Sequence, residues 1–266
     1  MKTKHKTTRL IRTRAELEQM PEVINMLNNI VGESERDFNL SLRFSRLQSF
    51  TPEAAAWRVN EKWLTDFEST RKSIIVAEVD GAPKAALVYM VNDEETRLNL
   101  GIPENQNFVI MIKAITKSEM RNTGVLGELV KRMQFETKDL DAAYITCVSN
   151  KVVINTETGK EFYVVMNLDR YSEMHKRTFE NNYLQMRYRD SAGNQFGREK
   201  VDLRLFLNSA NSIDNERINL FINRHIPEAK KENKEVMGFY LIGEGRVKWQ
   251  SVIAEQRRDA QIPSRL

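Results

Sequence analysis

Arg121, Asn122, Thr123 and Gly124 stand in a row between an apolar strand-like run and an apolar helical stripe. A helix that starts there exposes several backbone N–H groups and the positive end of its dipole, which together can hold a phosphate. Gly124 lets a bulky anion approach the backbone closely, Arg121 adds a fixed positive charge and Thr123 a hydroxyl. One glycine and one arginine before a helix also occur in ordinary turns, so the pattern alone defines an anion cradle and no particular anion. The other chemistry-bearing residues are scattered. His5, His175 and His225 are far apart and lack a His-x-x-x-His spacing or a carboxylate partner, which gives a zinc site or a catalytic triad little support. His175 reads as a surface or capping histidine on a helix. The single cysteine, Cys147, excludes an internal disulfide and a cysteine-based zinc site, and in an apolar strand it reads as a small buried hydrophobe. Asp93, Glu94 and Glu95 read as a solvated loop cluster, and no Walker loop or Rossmann fingerprint is present.

The elements around the cradle follow from hydrophobic period. Residues 9–12 read as a first strand, and an apolar stripe over 15–31 as a helix that Pro21 kinks or restarts. Thr51, Pro52 and Glu53 form a helix start, with Ala56, Val59, Trp63 and Phe67 following at helical spacing. At Ser73 the period changes. Residues 73–79 and 85–91 read as two strands joined by Asp80-Gly81, a strong hairpin signal. Residues 92–106 read as a polar loop. Residues 108–115 are apolar on both faces except at Lys113, which marks a central strand. Val125, Leu126, Leu129, Val130 and Met133 mark the helix behind the cradle, and 142–148 the next strand, ending at Ser149-Asn150. Strand, helix and strand in that order imply a right-handed crossover between parallel strands. Further on, 152–154 and 161–166 flank a turn, 169–181 reads as a helix, and 183–189 with 201–207 as a hairpin. The stretch 208–266 carries a short helix stopped by Pro227, a charge run over 229–235 and a strand over 238–242.

With those residues in place, the chain resembles the GNAT superfamily of acyl-CoA N-acyltransferases. That family has a loop of pattern Arg/Gln-x-x-Gly-x-Gly/Ala after its fourth strand, and Arg121-Asn122-Thr123-Gly124-Val125-Leu126 matches it except at Leu126, where the family has Gly or Ala. The resemblance implies an α/β (α+β) fold. Its central sheet is mixed and mostly antiparallel, with a splayed parallel pair and helices on both faces. It covers 1–207, a domain with a basic N-terminal arm, and leaves 208–266 as a C-terminal extension packed on the core. It further implies acetyl-CoA or a related acyl-CoA as co-substrate. Arg121, Asn122, Thr123, Gly124, Val125 and Leu126 would surround the pyrophosphate, and Ile112, Ala114 and Ile115 would line the pantetheine arm with backbone groups. The strand ending at Asn150 would splay away to open the acyl channel. For the chemical step, Glu119 is the implied general base. Phe179 falls near the family's acid tyrosine, which leaves Tyr171 and Tyr183 as alternatives.

Composition bounds the rest. The chain has 266 residues, 41% hydrophobic and 29% charged, with a net charge of +4. No apolar run is long enough to span a bilayer, no apolar stretch follows Met1-Lys2-Thr3-Lys4 as in a secretory signal, and a cytoplasmic, reducing setting is expected. Lys2, Lys4, Lys6, Arg9, Arg12 and Arg14 precede the first acid, Glu16. This arm is either a solvated terminus or an attraction for a polyanion, so nucleic acid or a nucleic-acid-bound protein is one expected acceptor. A second reading is a non-catalytic GNAT-fold protein that binds nucleic acid or a protein partner.

Overall fold

Asp80 and Gly81 both take positive φ, 53° and 79°, the backbone that a two-residue hairpin turn demands, and they fold β3 (Lys72–Val79) back on β4 (Ala82–Val91). The computed structural model describes residues 6–28, 47–50, 59–121, 123–155, 161–165, 172, 174–176 and 179–245. From that hairpin the sheet grows in both directions. β1 (Lys6–Ile11) pairs antiparallel with β3, and β5 (Phe108–Thr116) antiparallel with β4. β6 (Ala143–Asn155) then runs parallel to β5, with α5 (Val125–Glu136) crossing over between them. β8 (Asn181–Arg189), β9 (Gln195–Asp202) and β10 (Glu235–Glu244) complete an order β1-β3-β4-β5-β6-β10-β8-β9, and β2 (Leu47–Phe50) and β7 (Glu161–Val165) both pair with the far half of β6. The sheet is mixed and mostly antiparallel, its parallel pair being β5–β6.

Helices cover both faces because the strands are apolar on both. One face carries α5, whose Leu129, Val130 and Met133 pack on Ile75, Leu87, Tyr89, Val109 and Met111. The other carries α1 (Arg14–Glu18), α2 (21–28) and α3 (Glu61–Ser69), where Leu17, Val23, Leu27 and Phe67 pack on Ile74, Val76 and Val88. Each such fully buried side chain contributes about 1.5–3 kcal/mol. Beside α5, α6 (Asn215–Lys231) closes the β8–β10 half over Leu184, Met186, Phe239 and Leu241.

Several elements differ from the sequence reading. The helix expected over 15–31 takes the restart that Pro21 allowed: Thr13 caps α1 in a capping box with Glu16, and Pro21 opens α2, of which 21–28 are described. The start at Thr51, Pro52 and Glu53 lies outside the described residues, and α3 has its own cap in Asn60, whose side chain accepts from the Trp63 N–H at 2.9 Å. The polar stretch 92–106 holds α4 (Glu94–Leu100), capped by Asp93 and ended by Gly101 at φ 63°. β6 continues past Asn150 to Asn155, exchanging β10 for β7 as its partner. The partner of β8 is β9, while 203–206 is a 3₁₀ turn. Helix α6 runs through Pro227 for another turn, with that ring on its exposed side. Finally, β10 is hydrogen-bonded on both edges between β6 and β8, so residues beyond 207 build the interior of the sheet instead of lying against it.

Candidate functional site

Strands β5 and β6 pair over four rungs, from Phe108↔Ala143 to Met111↔Thr146, and then part. β6, already paired with β10 from Tyr144, keeps that partner to Ser149 and takes β7 from Asn150, and among the described residues no strand takes the freed edge of β5. A bulge lies at the same level. Tyr89 pairs with Met111 and Val88 with Lys113, so Ile112 is the extra residue. It carries Ile112 and Ile115 into the α1–α3 cluster and Ala114 into the α5 cluster. Lys113 reaches towards the carbonyl of Leu27 at the end of the described part of α2, with Nζ 3.5 Å away, and burial pushes its ammonium down to about 8.

At the top of β5 the chain turns through a 3₁₀ segment, Ser118–Met120, pinned by buried Met120. Thr123 Oγ1 donates to the Met120 carbonyl at 2.7 Å, so its hydroxyl shapes the turn. Gly124 then takes φ 82° as the residue before α5. A Cβ there would meet nothing within 4 Å, so the glycine answers the backbone angle and not a shortage of space. No side chain caps α5, which leaves the N–H groups of its first turn available to an anion, with half-buried Arg121 just before them. Val125 is buried, and Leu126 packs against the α5 cluster while Gly127 is exposed. The bulk at Leu126, where the resemblance has Gly or Ala, is thus partly buried against the α5 cluster. Asn122 lies outside the described residues. Thr116, at the end of β5, is five residue steps beyond Met111, so the top of the strand where the cradle begins stands roughly 16 Å from the split.

A histidine sits at the bottom of the split. Thr146, on the last rung, has Oγ1 2.7 Å from His175 Nε2. His175 is fully buried, and burial lowers its pKa to about 3, so the ring is neutral near pH 7. Among the described residues its Nδ1 has no hydrogen-bond partner, and neither has the buried Oγ of Ser172 three residues earlier. The ring lies 5.2 Å from that of Phe179, which stacks on Tyr144 at 5.1 Å. The Tyr144 hydroxyl is bonded in turn to Thr137 Oγ1 at 2.7 Å. The sequence reading put His175 on a surface; the structure puts it in the core against β6.

Of the residues expected to catalyse, the described ones, Glu119 and Tyr183, are not gathered here. Glu119 is exposed and bonded by Lys84 Nζ at 2.9 Å, and that contact holds its carboxyl below the usual carboxylate range, which makes it a weak base. Tyr183 is on β8, beyond β6 and β10, and packs with Ile145, Tyr240 and Ile242 on the face away from α5. Tyr171 lies outside the described residues, and Asn150 contributes a backbone rung to Val165. The basic arm is matched by acids: Lys6 with Glu128 at 3.4 Å, Arg9 with Glu78 at 3.5 Å, Arg12 with Glu136 at 2.8 Å and Arg14 with Glu18 at 2.6 Å. Lys2 and Lys4 lie outside the described residues. Among the described residues no cluster of three or more His, Cys, Asp or Glu could hold a metal, and no helix is long and apolar enough to cross a membrane.

The sequence signals that were available were Lys113, the lone charge in an apolar strand, and His175, followed four residues later by Phe179. No protein-family model matches the sequence. No curated protein matches it. Solved structures similar to it include the ribosomal-protein-S18-alanine N-acetyltransferase from Escherichia coli, at 9% identity and a TM-score of 0.37 over 72% of this chain and 88% of that one. A GCN5-related N-acetyltransferase from Ralstonia eutropha is 18% identical, with a TM-score of 0.34 over 51% and 77%. An aminoglycoside acetyltransferase from an uncultured soil metagenomic sample is 11% identical, with a TM-score of 0.36 over 54% and 78%. What the structure itself shows is a parallel pair, β5–β6, that parts beside the start of α5.

Proposed function

We propose that this chain is an acyl-CoA-dependent N-acyltransferase, moving an acetyl or related acyl group from acyl-CoA to an amine. One observation carries the reading: an uncapped helix start with a neighbouring arginine lies past the end of an unpaired strand edge that runs about 16 Å from a buried split. Those are the needs of a long thioester with a pyrophosphate at one end and a reacting carbonyl at the other. Arg121, Asn122, Thr123, Gly124, Val125 and Leu126 would surround the phosphates, the last two through their backbone. The β5 edge at Ile112, Ala114 and Ile115 would bond the arm, and the strand running towards Asn150 would splay away to open the acyl channel. The amine attacks the thioester carbonyl, the C–N bond forms, and the C–S bond breaks. Lys113, beside the split, is the group that can take the amine's proton near neutral pH. The acceptor is an amine of a protein, a nucleic acid or a small molecule, and a cytoplasmic setting suits the co-substrate.

Acetyl-CoA should raise the melting temperature of the purified protein, and Gly124→Glu, which sets a carboxylate in the cradle, should abolish the rise. No stabilisation of the wild type at saturating acetyl-CoA sinks the proposal.

A second reading is a non-catalytic GNAT-fold binding protein. The ion pair at Glu119 and the remoteness of Tyr183 favour it. Its nucleic-acid form is weakened by the carboxylates that match the basic arm. Salt-dependent binding to DNA or RNA with no response to acetyl-CoA would select it.

A further inference from the structure

We propose that His175 donates a hydrogen bond from Nδ1 to the sulfur of the bound thioester, while the Thr146 hydroxyl holds its Nε2. The inference rests on the acyl-CoA reading above and assigns a residue that the reading leaves open.

Three observations carry it. Thr146 is the last β6 residue paired with β5, and its Oγ1 is 2.7 Å from His175 Nε2, so the imidazole is tied to the point where the strands part. The other ring nitrogen is buried and, among the described residues, unpartnered, as is Ser172 Oγ three residues earlier. A buried polar atom without a partner costs about 1–3 kcal/mol, and such atoms are rare in folded proteins. The one on His175, whose ring is tied to the split through Thr146, is explained by a partner that arrives with the ligand. The ring is also fixed: it contacts Phe179, which stacks on Tyr144 of β6. When the Thr146 hydroxyl donates to Nε2, the single ring hydrogen lies on Nδ1.

The chemistry balances without a proton leaving the imidazole. The amine nitrogen forms the C–N bond, the C–S bond breaks, and sulfur departs with the electron pair. A neutral imidazole is too weak an acid to protonate that thiolate, but its N–H can hold the developing charge, as preorganised donors do in a dry site. The amine's proton goes to Lys113, and the proton that ends on sulfur is supplied by solvent. Burial keeps the ring neutral across the range in which the reaction would run.

The test uses CoA, desulfo-CoA and the protein labelled with ¹⁵N-histidine. The chain has three histidines, so His175→Asn identifies the His175 ring signals. In the free protein Nε2 is expected at an acceptor position and Nδ1 at a protonated one. CoA and desulfo-CoA should both raise the melting temperature, and CoA alone should shift Nδ1. If both ligands stabilise the protein and move Nδ1 equally or not at all, the inference fails while the acyl-CoA reading stands. An Nε2–H tautomer in the free protein also overturns it. If neither ligand stabilises the protein, the reading falls and takes the inference with it. His175→Asn keeps an N–H donor near the Nδ1 position and His175→Leu has none. In the thioester's slow transfer to a small amine, the first should retain most of the wild-type rate and the second should lose about a hundredfold, with acetyl-CoA still bound. Equal rates for the two variants also overturn the inference.

Discussion

Gly243 and Phe179 occupy the same space: a Cβ on the glycine would lie 2.1 Å from Phe179 Cδ2. The missing side chain on β10 is the seat of the phenyl ring, which lies between that strand and Tyr144 and borders His175. Gly243↔Tyr144 is also a rung of the β6–β10 ladder, so the seat is part of the sheet and cannot move aside. Gly243→Ala should therefore cost about 1–3 kcal/mol by overpacking, measured by urea denaturation. Adding Phe179→Leu should return part of the loss, because the smaller branched side chain leaves room for the methyl. No recovery in the double variant would mean that the glycine acts through its backbone alone.

His175 makes stability depend on pH in a defined direction. In the unfolded chain it titrates near 6.5, and in the folded protein burial lowers its pKa to about 3. Below pH 6.5 the unfolded state therefore binds a proton that the folded state refuses, and folding is progressively disfavoured until the pH nears 3. The full slope is about 1.4 kcal/mol per pH unit, so the step from pH 7 to about pH 5.5 should cost roughly 1 kcal/mol from this residue. That window lies above most of the carboxylate titrations. Urea midpoints of wild type and His175→Asn compared at the two pH values isolate the term, since the asparagine variant should lack it. Parallel pH profiles would show a ring that is hydrated and able to ionise in place.

Gly124 separates backbone conformation from anion binding. Its φ of 82° is unfavourable for any residue with a Cβ, though nothing lies within 4 Å of where one would go. Gly124→Ala and Gly124→Glu should each cost about 1–2 kcal/mol of stability in the absence of ligand, because both impose the same left-handed strain. Only the glutamate variant should also lose stabilisation by acetyl-CoA, as its carboxylate competes for the α5 N–H groups. Equal loss of the acetyl-CoA response in both variants would place the anion elsewhere or make the loop's conformation the whole of the effect.

What could be read in the sequence was local. The Asp80-Gly81 turn, the strand before Arg121 and the stripe behind Gly124 each lie within a dozen residues and follow from turn chemistry and period alone. α4 was equally local, with Asp93 as its cap and Gly101 in the left-handed region at its end, but seven polar-rich residues give too short a stripe to outweigh the look of a loop. β10 could not be placed, because joining β6 and β8 depends on pairings that cross most of the chain's second half. The same holds for the site. The cradle is a sequence-contiguous motif, whereas the Thr146–His175 contact spans 29 residues, and neither partner carries a pattern that names the other. Glu119 looked like a base because it ends the central strand. Its bond from Lys84 comes from the neighbouring strand, which the sequence order alone does not align with it.

Lys113 should be a cost to the folded state at neutral pH. Burial pushes its pKa from 10.5 to about 8, so below pH 8 both folded and unfolded chains are protonated and the folded one carries a poorly solvated ammonium. As pH rises through 8 the folded protein sheds that proton while the unfolded chain keeps it until about 10.5, and stability from this group increases over that window. Lys113→Met keeps the length of the side chain and removes the charge. Chemical denaturation at pH 7 should find the variant at least as stable as wild type, and repeating it between pH 8 and 10.5 should find wild type catching up. The opposite order, with the variant weaker at pH 7 and the gap constant with pH, would mean that the bond towards the Leu27 carbonyl outweighs the desolvation of the ammonium. The same residue gives the proposed chemistry a signature. Transfer from acetyl-CoA to a small amine should rise with pH to a plateau near 8 in wild type, and Lys113→Met should lose that limb while still being stabilised by acetyl-CoA, which separates proton removal from binding.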